Sequence, residues 1–129
     1  MAAWLVTEDP QQLIRVDSIV HVYPLPVFAE GDPVANEVPP RQRLEASHHV
    51  QIIVSTSAGQ QVRALSCPGW AAWEATAQLI VLLAELARKH DAGSPPVFVY
   101  GPRGSRAHWN GKLWAVEPRI PEPDWMPSW

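Results

Sequence analysis

The sequence predicts an α+β fold, an antiparallel sheet of about five to six strands with one long helix packed across it. Three observations support this class. Apolar β-branched residues alternate through the first half of the chain, a helical apolar period follows at about 70–90, and an Asn-Gly turn comes after it. The length of 129 residues fits one domain, 1–129, with its own core.

The first strands are predicted from alternating apolar residues bounded by turn-forming residues. One strand is expected at 3–7, and the segment 12–25 is expected to form one strand or two with a break at Asp17-Ser18. Residues 48–67 predict a hairpin, because two alternating segments flank the turn Ser57-Ala58-Gly59.

The helix, predicted from Trp70 to His90, has two apolar ridges and only a narrow polar stripe. One ridge is formed by Trp73, Ala77, Ile80, Leu83, Ala84 and Ala87, and the other by Ala75, Leu79, Leu82 and Leu86. A helix that packs on a single sheet needs an apolar arc of roughly 100°. We therefore expect this helix to be covered on two sides.

Two proline-rich segments stand outside the predicted core. Residues 24–43 contain five prolines without a period and predict a long loop. Residues 117–129 predict an extended C-terminal arm, since proline ends both helices and central strands. Trp125 and Trp129 on this arm either fill the groove over the second helix ridge or anchor in a neighbouring chain.

A C-terminal hairpin is predicted after a further strand at 96–100. Asn110-Gly111 is the strongest short-range hairpin signal. A two-residue turn there pairs Trp109 with Lys112 and places Trp114 diagonally on the same face.

The function predicted from these features is a non-enzymatic protein-binding or assembly module, either a subunit of a larger assembly or an inhibitor that caps a partner. Tryptophan and arginine are frequent interface anchors. The predicted binding residues are Arg103, Arg106, Trp109, Lys112, Trp114, Trp125 and Trp129. Residues 1–40 are acidic and 100–112 basic, which suits self-association or a partner of mixed charge. No cofactor is expected.

Two alternative functions remain open. The hairpin 100–114 could serve a nucleic-acid-binding accessory protein, with Arg103 and Arg106 on phosphates and Trp109 stacked on a base. The net charge of −3 does not favour this. A small enzyme could use Cys67 as its nucleophile, because a helix N-terminus favours a thiolate, although a lone cysteine there is more often a buried apolar residue.

The remaining expectations concern metals and compartment. His21, His48 and His49 lack the spacing of a metal site, and none is predicted. A single cysteine, Cys67, favours a reducing compartment. The longest apolar run, 79–87, is too short for a bilayer, so we expect a cytoplasmic protein that binds no membrane.

Overall fold

The computed structural model describes residues 3–8, 11–27, 49–89, 93–102 and 108–121. Within them the α+β class is confirmed, since one long helix packs against two small sheets. The helix, α1, is Gly69–Lys89. The strands in chain order are β1 (Ala3–Val6), β2 (Leu13–Arg15), β3 (Ile19–Pro26), β4 (Val50–Thr56), β5 (Gln61–Cys67), β6 (Val97–Tyr100) and β7 (Ala115–Glu117).

The strands form two sheets, where the sequence led us to expect one antiparallel sheet. Four strands pair in the order β2-β1-β6-β7, and three pair in the order β3-β4-β5. β1 and β6 are parallel, whereas the other pairings among the described strands are antiparallel. Parallel neighbours require a crossover connection, and the second sheet and α1 both lie within the crossover from β1 to β6.

Of the two arrangements expected for 12–25, one strand or two, the structure has two strands with a break at Asp17-Ser18. A single 3-10 turn, Val16–Ser18, separates β2 from β3. The Ser18 hydroxyl donates to the Arg15 carbonyl oxygen at 2.7 Å, and the Arg15 guanidinium forms an ion pair with Asp17 at 2.9 Å. These local interactions hold the bend at which the chain leaves one sheet and enters the other.

The predicted hairpin is also confirmed, as β4 and β5 with a turn at 57–60. Gly59 has φ of +84°, a conformation that glycine adopts without steric cost. The loop predicted to begin at residue 24 begins later, because β3 extends to Pro26 and pairs with β4. β3 is an edge strand, where proline is tolerated. The rest of that predicted loop, 28–48, lies outside the described residues.

Both sheets and α1 share one hydrophobic core. The largest fully buried side chains include Leu5, Ile52, Leu65, Leu79, Val99 and Trp114. Gly101, just after β6, lies in close contact with two of them. A Cβ atom at Gly101 would overlap with the Leu65 side chain and lie 3.3 Å from the Trp114 ring. Glycine is thus the residue that lets the chain pass over the buried indole.

Candidate functional site

The outward side of α1 is apolar and exposed to solvent. Trp70 is 60% exposed, Trp73 69%, Ile80 48% and Val81 59%. Ala77 and Ala84 are exposed between them. At 100° per residue these six side chains fall within an arc of about 100°. We call this surface the exposed helix face, defined by Trp70, Trp73, Ala77, Ile80, Val81 and Ala84.

The opposite side of α1 explains why these large side chains point outward. Ala71, Ala72 and Ala75 are fully buried against the core, which brings the N-terminal half of the helix close to the sheets. An indole at those positions would have no room in an interior packed to native density. The tryptophans therefore occupy the side of the helix that the sheets do not reach.

The expectation that α1 is covered on two sides is wrong for the ridge that contains Trp73. Of that ridge only Leu83 is buried. The other ridge is covered by the core itself, because Leu79 is 0% exposed, and Leu82 and Leu86 pack against the core. No C-terminal arm is needed to cover it. The arm residues 122–129 lie outside the described residues.

Polar groups border the exposed helix face along one edge. Glu74, Gln78 and Glu85 lie there, and Arg88 and Lys89 form the basic C-terminal end of the helix. A groove of about 350 Å³ runs beside this edge, between α1 and the segment 112–114. Its apolar lining comes from Ala77, Val81, Leu82 and Trp114, and its charged lining from Glu74, Glu85 and Lys112.

The predicted two-residue hairpin at Asn110-Gly111 is wrong. Residues 108–114 contain no strand, although Gly111 has φ of +73°. Two backbone groups of this segment are bound to a side chain of α1. The Gln78 amide nitrogen donates to the Gly111 carbonyl oxygen at 2.7 Å, and the Leu113 backbone N–H donates to the Gln78 amide oxygen at 2.8 Å.

Trp114 strengthens this attachment from inside the core. Its indole N–H donates to the Ala75 carbonyl oxygen at 2.8 Å, and the side chain is 2% exposed. A buried indole N–H needs such a partner. Directly after Trp114 the chain enters β7, which pairs antiparallel with β6, Ala115 beside Tyr100.

The three predicted binding residues that the structure describes, Trp109, Lys112 and Trp114, lie near one another but do not form an exposed aromatic surface. Trp114 is buried in the core, and Trp109 is half-buried and packs against it. Lys112 alone of the described members is exposed. The other four, Arg103, Arg106, Trp125 and Trp129, lie outside the described residues.

The sequence contained a signal for the exposed helix face that the prediction assigned differently. The excess of apolar residues on α1 is real, and it indicates a surface that one sheet cannot cover. The sequence analysis offered the chain's own C-terminal arm as one possible cover, for the ridge of Leu79, Leu82 and Leu86. Periodicity alone does not tell which of two apolar ridges faces the core, and the small residues Ala72 and Ala75 were the available indication.

Cys67 has the environment of a core residue. It is the last residue of β5 and is 4% exposed. Burial raises the pKa of its thiol from 9.0 to about 11, because desolvation disfavours the charged thiolate. At neutral pH the thiol is protonated and a poor nucleophile. Within the described ranges, no three His, Cys, Asp or Glu side chains are grouped so that they could hold a metal ion.

Among the residues that the structure describes, α1 is the one helix long and apolar enough to cross a bilayer by length and composition. Core helices of folded domains meet the same criterion. Here Ala72, Ala75 and Leu79 are fully buried against the sheets, so at least one side of α1 is part of the domain core.

Comparison with known proteins gives no functional assignment. No protein-family model matches this chain, and neither a curated protein nor a solved structure matches it. Function therefore has to be inferred from the chemistry of the described surface. Of nine large hydrophobic residues recorded as exposed there, four belong to the exposed helix face, including the two most exposed, Trp70 and Trp73.

Proposed function

We propose that this protein is a non-enzymatic protein-binding or assembly module that binds a protein partner through the exposed helix face. The observation that carries the proposal is the exposure of Trp70 and Trp73, 60% and 69%, on neighbouring turns of a rigid helix. Tryptophan is the residue most enriched among interface hot spots. Folded monomers rarely leave large contiguous apolar patches in water.

The energetics favour a partner over open solvent. A tryptophan side chain can bury up to about 250 Å², so the two indoles leave roughly 300 Å² of surface for a partner to cover. At about 25 cal/mol per Å² this corresponds to roughly 7 kcal/mol of gross stabilisation. The entropy lost on association costs a similar amount of free energy. The flanking Ile80 and Val81 are therefore needed for binding as well.

The alternatives have less support among the described residues. A nucleic-acid site at Lys112 would place phosphates beside Glu74 and Glu85, which line the same groove and would repel them. An enzyme that used Cys67 would need a thiolate, and the raised pKa of this buried group disfavours one. The proposal therefore shifts the binding surface from the predicted arms to the helix.

The proposal is tested by site-specific photo-crosslinking in the cells that make the protein. A benzophenone amino acid replaces Trp73 in one variant and Val20 in the control, because Val20 is 55% exposed on β3 and is not part of the exposed helix face. We expect the Trp73 position to give a discrete crosslinked protein, identified by mass spectrometry, that the Val20 position does not give. Equal labelling from both positions, or crosslinks to lipid or nucleic acid alone, would overturn the proposal.

A further inference from the structure

We propose that Pro24 and Pro26 close the outer edge of β3 to strands of other chains, including a second copy of this one. β3 lies at the end of its sheet, and among the described strands only β4 pairs with it. The other edge of such a strand presents backbone groups that can pair with a strand of another chain. This inference concerns a different surface from the exposed helix face and does not depend on the proposed function.

The register of β3 shows which backbone groups face the outer edge. The Val27 N–H donates to the His49 carbonyl oxygen at 3.0 Å, and the register with β4 has no shift between Val22 and Val27. Residues of an antiparallel strand point their backbone groups alternately to one side and to the other. Since Val27 points to β4, the backbone groups of Pro26, Pro24 and Val22 point to the outer edge.

The two prolines remove most hydrogen-bond donors from this edge. Proline has no backbone N–H, so Pro24 and Pro26 offer only their carbonyl oxygens, and Val22 is the one residue of the three that can donate. A strand laid against β3 would bring its own carbonyl oxygens opposite the two prolines. Those oxygens would lose water without gaining a donor, which makes the pairing unfavourable.

The side chains of β3 show why this edge needs protection. Val20 is 55% exposed and Leu25 45%, and Val27, directly after the strand, is 42% exposed. β3 is also eight residues long. A long edge strand with exposed apolar side chains is a template for pairing between chains. Without the prolines, β3 would meet both conditions and also offer a regular row of donors.

The other sheet edges in the described part of the chain are limited in different ways. β2 and β7, at the two ends of the four-stranded sheet, are only three residues long. Very short edge strands are poor templates for pairing. β5, opposite β3 in its sheet, is contacted by the segment after β1, because the Glu8 N–H donates to the Ala64 carbonyl oxygen at 3.0 Å. Of these edges, β3 is the long one on which proline replaces the donors.

The test restores the missing donors and measures association of the full chain by sedimentation velocity. Pro24→Val together with Pro26→Val supplies two N–H groups and keeps apolar side chains at both positions. Pro95→Val together with Pro96→Val is the matched control, because these prolines are exposed and lie outside the strands. We expect the first double variant to associate at least about tenfold more tightly than the wild type, and the control to match the wild type.

Hydrogen exchange at the Val22 amide tells whether the association uses the outer edge. In the wild type this N–H faces no described strand and should exchange without protection. In the associated double variant it should exchange at least about tenfold more slowly. Circular dichroism checks that each chain is folded. The single changes Pro24→Val and Pro26→Val give the same measurements if the double variant does not fold.

Three results would overturn the inference. A double variant at 24 and 26 that associates no more than the wild type would show that the missing donors are not what keeps this edge unpaired. Equal association of the control at 95 and 96 would show that the effect does not belong to β3. A Val22 amide that is already protected in the monomeric wild type would show that another part of the chain covers the edge.

Discussion

The two sides of α1 differ in the size of their side chains. In the first two turns, the side that packs on the sheets has alanines and the side that faces solvent has tryptophans. Ala72 and Ala75 are 0% exposed, whereas Trp70 and Trp73 are more than half exposed. Large apolar residues usually lie inside a domain. Here small residues bring the helix close to the sheets, and the large residues remain free for another surface. Fold stability and partner binding thus depend on different sides of one helix and can be changed separately.

The largest expected effect comes from removing a buried side chain from α1. Leu79→Ala should lower the free energy of unfolding by about 2–5 kcal/mol, because Leu79 is 0% exposed and its loss leaves a cavity. The matched change on the other side, Ile80→Ala, should cost less than about 1 kcal/mol. Urea unfolding followed by circular dichroism, at a concentration that keeps the chain monomeric, measures both. Equal costs for the two variants would contradict the assignment of the two faces.

The pH dependence of the free energy of unfolding tests whether water is excluded from Cys67. The thiol pKa is about 11 in the folded chain and 9.0 when exposed. Below pH 9 the thiol is protonated in both the folded and the unfolded state, so it adds no pH dependence to the free energy of unfolding. Between pH 9 and 11 the unfolded state ionises first, so stability should fall as pH rises, by about 2–3 kcal/mol in total.

The control for this pH effect is Cys67→Ala, which cannot ionise but keeps the other titrating groups. Its free energy of unfolding should fall less steeply than that of the wild type between pH 9 and 11. Parallel pH profiles for the two chains would mean that water reaches Cys67, and that the core beside α1 is less closely packed than its 4% exposure indicates.

Adding atoms to a side chain, instead of removing them, also distinguishes the buried side of α1 from the exposed side. Ala75→Leu should destabilise the fold by about 1–3 kcal/mol, since no space exists for three further carbon atoms at a fully buried site. Ala87→Leu adds the same atoms at an exposed position and should change stability by less than about 0.5 kcal/mol. Thermal unfolding of the two variants gives the comparison. A tolerated Ala75→Leu would show that α1 does not pack closely on the sheets.

Local patterns predicted most of the second sheet and the helix. The alternation around Val54 and the turn at Gly59 are set by neighbours in the chain, so the β4–β5 hairpin was predicted correctly, and the break at Asp17-Ser18 was one of two alternatives left open. The parallel pairing of β1 with β6 could not be found in this way. It joins segments more than 90 residues apart and has no local turn to mark it.

The candidate site was predicted less well, for a related reason. The sequence showed that α1 has more apolar surface than one sheet covers, but not which side stays exposed. Asn110-Gly111 has the residues of a hairpin turn, yet Gly111 and Leu113 bind the side chain of Gln78, which is more than 30 residues away. A long-range side-chain interaction therefore overrides a local preference, and Trp114 enters the core instead of an exposed face.

The smallest expected effect concerns this Gln78 attachment, at the border between the two sides of α1. Gln78→Ala removes two hydrogen bonds to the segment 111–113 and should cost about 1 kcal/mol. Hydrogen exchange at the Leu113 amide should become about tenfold faster. Gln78→Glu is the control, because its carboxylate still accepts from the Leu113 N–H but cannot donate to Gly111. It should retain most of the protection at Leu113, and an unprotected amide in the wild type would show that Gln78 does not hold this segment.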